Sequence, residues 1–363
     1  MIFNLMLCLS IVIIYLLTRL SKRDKKTKNK LFLRVVFLLI FIVMASREMT
    51  VGSDTDNYIA LFEKCSMYKW EILNMNLHFE KGFLIFNVLL SYLHISPRVF
   101  LCIMSFIFSY AAYKFIDDNS DNPLMSVLLF INLMFLYESM NTMRQFLALS
   151  TVLLFGFNYV KNKKPLKYIM IVLLASLFHV TALAALFIYP IYHLKYSKKI
   201  VFVIVLASIL GLIFLSWIYP LLSTLLGREA YYINMIGELK LGNLVSTLIF
   251  LSMYVFSLII LSGKDLKKYS FYLYSLLFAT ALCFVSINMA VLSRVSQYYT
   301  IFSIIALPNI INANIGKSKA MIEFVIIGLF MTYSSVIMIN KPEWNSAYDY
   351  KTCLIPEEGY ICE

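Results

Sequence analysis

Four stretches of this chain constrain it more than anything else. Ile200 to Gly227 runs 28 residues without a charged side chain, Leu241 to Gly263 runs 23, Tyr269 to Ser293 runs 25 and Val295 to Gly316 runs 22. Tyr168 to Leu194 is a fifth such run, interrupted only by two histidines. A helix needs about 20 apolar residues to cross roughly 30 Å of hydrocarbon. Backbone in lipid must satisfy its own hydrogen bonds, so a spanning chain is helical or a closed barrel. No ten-residue alternating pattern is present, which selects helices. Composition agrees: 61% of residues are apolar and 14% charged, against about 45–50% and 25% in soluble domains. That excludes a soluble enzyme, a disordered chain and a nucleic-acid-binding protein.

The net charge of +12 is an orientation signal. Basic clusters lie at Arg19 to Arg34, Lys161 to Lys167, Lys195 to Lys199, Lys264 to Lys268 and, more weakly, at Lys317 and Lys319. Loops rich in Lys and Arg stay cytoplasmic. Gly82 to Leu93 is apolar but has only 12 residues, about 18 Å of helix. Reading it as re-entrant or interfacial puts every basic cluster inside. The expectation is an all-α polytopic membrane protein: one integral-membrane domain over 1–363, about twelve spans and both termini outside. Residues 47–98 form an outer-face loop containing the short apolar segment, and residues 339–363 form an outer tail. The first 20 residues read as a retained span, because their positive charges follow the apolar run and no small-residue cleavage site appears. Six cysteines show no metal spacing; Cys353 and Cys362, nine apart in the tail, suit a disulfide in an oxidising compartment. No internal repeat and no nucleotide-binding motif is visible.

Polar residues concentrate on the outer side. One segment runs from Ser46 through Arg47, Asp54, Asp56, Tyr58 and Phe62 to Glu80-Lys81-Gly82-Phe83. A second, Glu138 to Gln145, opens a span and carries Arg144. A third, Phe178-His179-Val180-Thr181, turns a helical hairpin, and a fourth, Arg294 to Tyr299, opens another span. Ionisable groups at membrane depth cost roughly 2.5–3.5 kcal/mol and face a cavity or a partner. Any one arginine reads equally as a side chain snorkelling to head groups. Arg47, Arg144 and Arg294 at one level are better explained by an anionic ligand, which guanidinium groups grip bidentately. His179, in a strongly apolar stretch, reads evenly as a structural histidine or as a general base or proton shuttle; His78, His94 and His193 read as structural. Asp54, Asp56 and Glu80 flank the short segment. One of them reads as a helix cap, and carboxylates beside Tyr58 and Phe62 suit sugar hydroxyls and sugar faces.

Several stretches, in order, resemble the EpsG family of bacterial membrane proteins, Wzy-type polysaccharide polymerases. Val51-Gly52-Ser53-Asp54 with Tyr58 is similar to the family's Gly-Thr/Ser-Asp-x-x-x-Tyr loop. Glu80-Lys81-Gly82-Phe83 is similar to its Glu-x-Gly-Phe, and Asn141 to Ala148 to its Arg-Gln-x-x-Ala helix start. Leu174 to Leu183 resembles its Ala-x-x-Phe-His-x-Ser/Thr-Ala signature, and Arg294 with Tyr298 its late Arg-x-x-x-Tyr. Lys341 to Asn345 followed by Tyr348 to Lys351 resembles its tail, departing from a Pro-Tyr ending and continuing through two cysteines.

The resemblance implies a substrate, oligosaccharide repeat units on undecaprenyl pyrophosphate, and a reaction, transfer of the growing chain onto the next unit at the outer face of the bacterial cytoplasmic membrane. It implies membrane lipids, a chain-length regulator and a flippase of the same pathway as partners, and no nucleic acid. The leaving group is already activated, so neither ATP nor a cofactor is needed. The candidate catalytic residues are Arg144 and Arg294 for the pyrophosphate and His179 as base, with Asp54, Asp56 and Glu80 as alternative bases. Arg47, Tyr58, Gln145 and Tyr298 are candidate substrate contacts. Metal independence is expected, with a metal bridging Asp54, Asp56 and pyrophosphate as the alternative. The other readings are a lipid-linked oligosaccharide flippase or transporter, a polysaccharide ligase, and an acyltransferase.

Overall fold

The computed structural model describes residues 1–225, 241–261, 263–288, 291–314, 316, 318–340 and 350–354. Among them the regular structure is helical, and the single β contact is an isolated bridge between Arg47 and Thr352. The sequence reads as one domain. The chain divides into two compact units, one of residues 1–159, 166–183 and 317–363, the other of 160–165 and 184–316.

In the first unit α1 (Ile2–Leu20) and α2 (Lys25–Ala45) form a hairpin. Its turn is set by Asp24, whose carboxylate accepts the Thr27 N–H at 3.1 Å, a cap worth about 1 kcal/mol. Lys28 donates to the Arg19 carbonyl at 3.0 Å and so satisfies an orphan acceptor at the end of α1. α2 buries Phe32, Leu33, Val36, Phe37 and Ile40, a helical stripe, and packs along α5 (Pro97–Asn119).

The apolar stretch after α5 is broken. α6 (Pro123–Asn132) and α7 (Phe135–Asn141) meet at a 51° bend, where Met134 sits at φ 70°, a region costly for a side chain with a Cβ. A sealed polar network surrounds the bend. Asn4 donates to Asn132 and to Ser334, both at 3.2 Å; Ser334 donates to Asn132 at 2.8 Å; Tyr137 donates to Asn4 at 3.0 Å. It ties α1, α6 and α7 to the helix Lys319–Asn340. α7 ends at Thr142, and α8 (Met143–Thr151) begins afresh, so Arg144 lies in the first turn of its own helix.

Residues 47–98 fold as α3 (Thr55–Tyr68), a 3₁₀ turn at Lys69–Asn74 and α4 (Lys81–Ser91). α4 has 11 residues, about 16 Å, too short to cross a bilayer. It buries Phe83, Leu84 and Val88, packs against α3, and leaves Ile85 and Leu89 outward.

About twelve full spans are not confirmed among the described residues. Among the described residues four helices are long and apolar enough to cross a membrane: Ile2–Leu20, Pro97–Asn119, Leu241–Ile260 and Lys319–Asn340. The bent pair α6–α7 makes a fifth if counted as one span. Other apolar stretches form shorter helices, such as Pro165–Ser176 and Ser270–Val285, while Lys198–Leu225 is one helix of 28 residues. A charge-free run reports where lipid is tolerated, and says nothing of where the hydrogen-bond ladder breaks.

In the second unit the helix Ser270–Val285 packs against Lys198–Leu225, Leu241–Ile260, Val291–Thr300 and Ser303–Asn314. Polar pins hold it: Asn243 donates to the Ser286 carbonyl at 2.7 Å, Asn309 to the Tyr272 hydroxyl at 2.8 Å, and the Ser197 N–H to the Tyr274 hydroxyl at 2.9 Å.

Candidate active site

The charged cluster of the first unit is built by three segments distant in sequence. Glu80 is the N-cap of α4, Arg144 lies in the first turn of α8, and His179 sits between the helix Pro165–Ser176 and the 3₁₀ helix Val180–Phe187. Arg144 donates to Glu80 Oε2 at 2.5 Å. His179 Nδ1 lies 2.8 Å from Glu80 Oε1, which also accepts the Val180 N–H at 3.3 Å. Arg144 lies over the Phe79 ring, 4.7 Å from its centroid, and hydrogen-bonds with the Tyr58 hydroxyl.

Side-chain exposure is 18% for Arg144, 16% for Glu80 and 8% for His179. These are therefore not solvent-screened surface pairs, whose median worth is ~0–1 kcal/mol. Burial by itself would raise the Glu80 carboxyl. The His179 hydrogen bond and the Arg144 charge outweigh it and hold the group at about 2, so it is ionised at neutral pH. An ionised carboxylate only accepts hydrogen bonds. His179 Nδ1 must then carry the proton, and in the neutral ring Nε2 is left as the acceptor. The carboxylate thus fixes the tautomer of the imidazole.

Two close approaches set this geometry. A Cβ at Gly82 would stand 2.5 Å from Leu177 Cβ and 2.6 Å from its carbonyl oxygen; only glycine lets α4 start this close to the segment that leads into His179. Gly52 adopts φ +94°, and a Cβ there would lie 2.8 Å from the Met140 carbonyl oxygen. Asn141 completes that junction: its Oδ1 accepts the Asp54 N–H at 2.9 Å and the Ser53 hydroxyl at 3.0 Å. The loop before α3 is thereby fastened to the turn that presents Arg144. Asn141 appears in the sequence as part of a motif without a role of its own. Its position at a helix break, three residues before an arginine, was the available signal.

Of the other candidates, Tyr58 joins the cluster through its hydrogen bond with Arg144. Tyr58 is buried, edge-on to Phe83 at 5.8 Å. Gln145 is buried on α8. Asp54 is half-buried at the start of α3 and Asp56 is exposed; the contact from Asn141 reaches the Asp54 backbone rather than its carboxylate. Among the described residues no three His, Cys, Asp or Glu side chains gather as a metal site.

Arg47 has partners of its own. It is 1% exposed and donates to the Met44 carbonyl at 2.6 Å and Ser105 Oγ at 3.2 Å; its Nε and second amino group meet no acceptor. Residues 350–354 cover this region. The Glu48 N–H donates to the Lys351 carbonyl at 3.0 Å, and the Cys353 N–H to the Ser46 carbonyl at 2.8 Å. Tyr350 stacks on Phe3 at 4.0 Å and donates to the Val43 carbonyl. Arg98 donates to Cys353 Sγ at 2.8 Å. Cys353 is disulfide-bonded, while Cys8, Cys65 and Cys102 are free thiols. Cys362 and residues 341–349 lie outside the described residues. Arg294 and Tyr298 belong to the second unit, on the helix Val291–Thr300, half-buried and fully buried respectively.

Membrane-length apolar helices together with a largely enclosed Arg–Glu–His cluster define a multi-pass membrane protein with a charged site. The chain belongs to the EpsG family: residues 30–352, nearly all of it, match that family, which is associated with polysaccharide polymerisation. No curated protein and no solved structure matches the chain.

Proposed function

We propose that this protein joins oligosaccharide repeat units carried on undecaprenyl pyrophosphate, at the outer face of the bacterial cytoplasmic membrane, in the making of a capsule, exopolysaccharide or O-antigen. The observation that carries the reading is the placement of Arg144 and His179 on opposite oxygens of one carboxylate. The basic loops support the outward orientation.

The acceptor sugar hydroxyl gives its proton to His179 Nε2. Its oxygen bonds to the anomeric carbon of the donor as the bond from that carbon to the pyrophosphate oxygen breaks, and undecaprenyl pyrophosphate leaves with the electron pair. Arg144 meets the charge that builds on the pyrophosphate; preorganised donors in an enclosed site are worth several kcal/mol there. Glu80, held at about 2, is too weak a base at neutral pH. We assign it instead to orienting His179 and Arg144, as the carboxylate of a catalytic triad orients its histidine. Arg294 is kept as a second pyrophosphate contact and Tyr58, Gln145 and Tyr298 as substrate contacts. Asp54 and Asp56 are kept as acceptors of sugar hydroxyls. Arg47, sealed beneath residues 350–354, is assigned to holding that tail.

The test is incubation of the purified protein with its own lipid-linked repeat unit, followed by gel electrophoresis. A ladder of repeat lengths is expected, without added nucleotide. No ladder, with repeat units accumulating on the inner leaflet of a deletion strain, overturns polymerisation in favour of a flippase. Polymer of normal length left on the lipid carrier points to a ligase.

A further inference from the structure

The carboxylate of Glu80 accepts from Arg144, from His179 and from the Val180 N–H, which takes three of its roughly four acceptor positions. Two hydrogen-bonding atoms, one on Arg144 and one on the residue after Val180, are unmet. Arg144 Nε and Thr181 Oγ1 are both sealed from solvent and neither has a hydrogen-bond partner. Thr181 follows directly on Val180, and Arg144 is bonded to the opposite oxygen of the same carboxylate. A sealed polar group left unmet costs about 1–3 kcal/mol, and such groups in native proteins require an explanation. Threonine in the first turn of a 3₁₀ helix has no need of its hydroxyl for the fold; valine has the same shape.

An arginine Nε–H donates and cannot accept. With the one carboxylate already accepting from three donors, the surplus at this site is of donors, and the complementary ligand is one rich in acceptors. We propose that the Thr181 hydroxyl is a substrate-binding group that donates, alongside Arg144 Nε–H, to the phosphate oxygens of a pyrophosphate. This rests on the reading of the site as one for pyrophosphate-linked substrate, and adds to it a neutral ligand for the anion that charge and histidine content do not reveal.

The reading makes an unusual demand on one substitution. Thr181→Val removes an unmet hydroxyl, so the unliganded protein melts at the same or a higher temperature, while the ligand is held less well. The measurement is the melting temperature of the purified protein in lipid nanodiscs, with and without undecaprenyl pyrophosphate, for the parent, Thr181→Val and Thr181→Ser. Expected is a ligand-induced rise for the parent and for Thr181→Ser. For Thr181→Val the same rise needs roughly tenfold more ligand, the loss of one hydrogen bond to a charged group. A response at equal concentration of inorganic pyrophosphate that depends equally on Thr181 would support the anion site and assign it to the free ion. A response of Thr181→Val identical to the parent's, or a lower unliganded melting temperature with an unchanged response, overturns the role of Thr181 and leaves the wider reading standing. No response of the parent to either pyrophosphate overturns both.

Discussion

Arg144→Ala is expected to abolish long polymer while leaving the protein in the membrane. In the proposed chemistry the substitution removes the charge opposite the leaving pyrophosphate, and loss of one preorganised donor of this kind costs about a hundredfold to a thousandfold in rate. It also strands Glu80. With 16% of its side chain exposed, that carboxylate keeps only the His179 contact and the Val180 amide, and an uncompensated buried charge is strongly destabilising locally. Arg144→Lys should recover little, because the ammonium is a point charge without the planar fork or an Nε–H. The check is polymer length on a gel beside protein level in isolated membranes. Normal polymer from Arg144→Ala would remove the proposed chemistry. Loss of the protein itself would reassign the residue to the fold.

The second large effect is expected at a residue with no side chain. Gly82→Ala places a Cβ within 2.6 Å of both Leu177 Cβ and its carbonyl oxygen. Neither atom can rotate aside, so α4 and the segment before His179 must separate, at about 1–3 kcal/mol for overpacking of this kind. Glu80 lies two residues before Gly82, and His179 two after Leu177. A shift of about 1 Å there lengthens the 2.8 Å contact between them beyond hydrogen-bonding range. Polymerisation should fall at least tenfold, and Gly82→Val should fall further. Gly328→Ala is the control: nothing lies within 4 Å of a Cβ at that position, and activity and melting temperature should match the parent's. Parental activity in Gly82→Ala would show that the close approach is not needed.

Much of this was legible from the chain. Charge-free runs announce membrane helices because lipid excludes charge, and the 12 residues from Gly82 to Leu93 announce a segment too short to span. The helix found there, Lys81–Ser91, lies within one or two residues of it. Glu80, Arg144 and His179 stand out because ionisable groups beside apolar runs are expensive. The span count was not legible in the same way. The break between α6 and α7 falls inside an apolar sequence, at a methionine in a left-handed conformation. It is pinned by Asn4, Asn132, Tyr137 and Ser334, residues 4 to 334 in the chain, whose meeting no periodicity announces. Arg47 reads like Arg144 in sequence, yet its neighbours are Met44, Ser105 and the segment 350–354. Charge alone does not tell a helix-capping arginine from one facing a cluster. Tyr350, Arg98 and Asn141 went unread as contributors because their partners lie about 50 to 310 residues away.

In the proposed mechanism Glu80 and His179 act as one unit, the carboxylate holding the imidazole that takes the proton. Initial rates of ladder formation for the parent, Glu80→Gln, His179→Ala and the double variant measure this directly, since residues acting together give non-additive losses. The double variant is expected to be no slower than His179→Ala alone, because a carboxylate with no imidazole to orient loses most of its value. Two losses that multiply would contradict it, and would make Glu80 and His179 separate contributors that happen to touch.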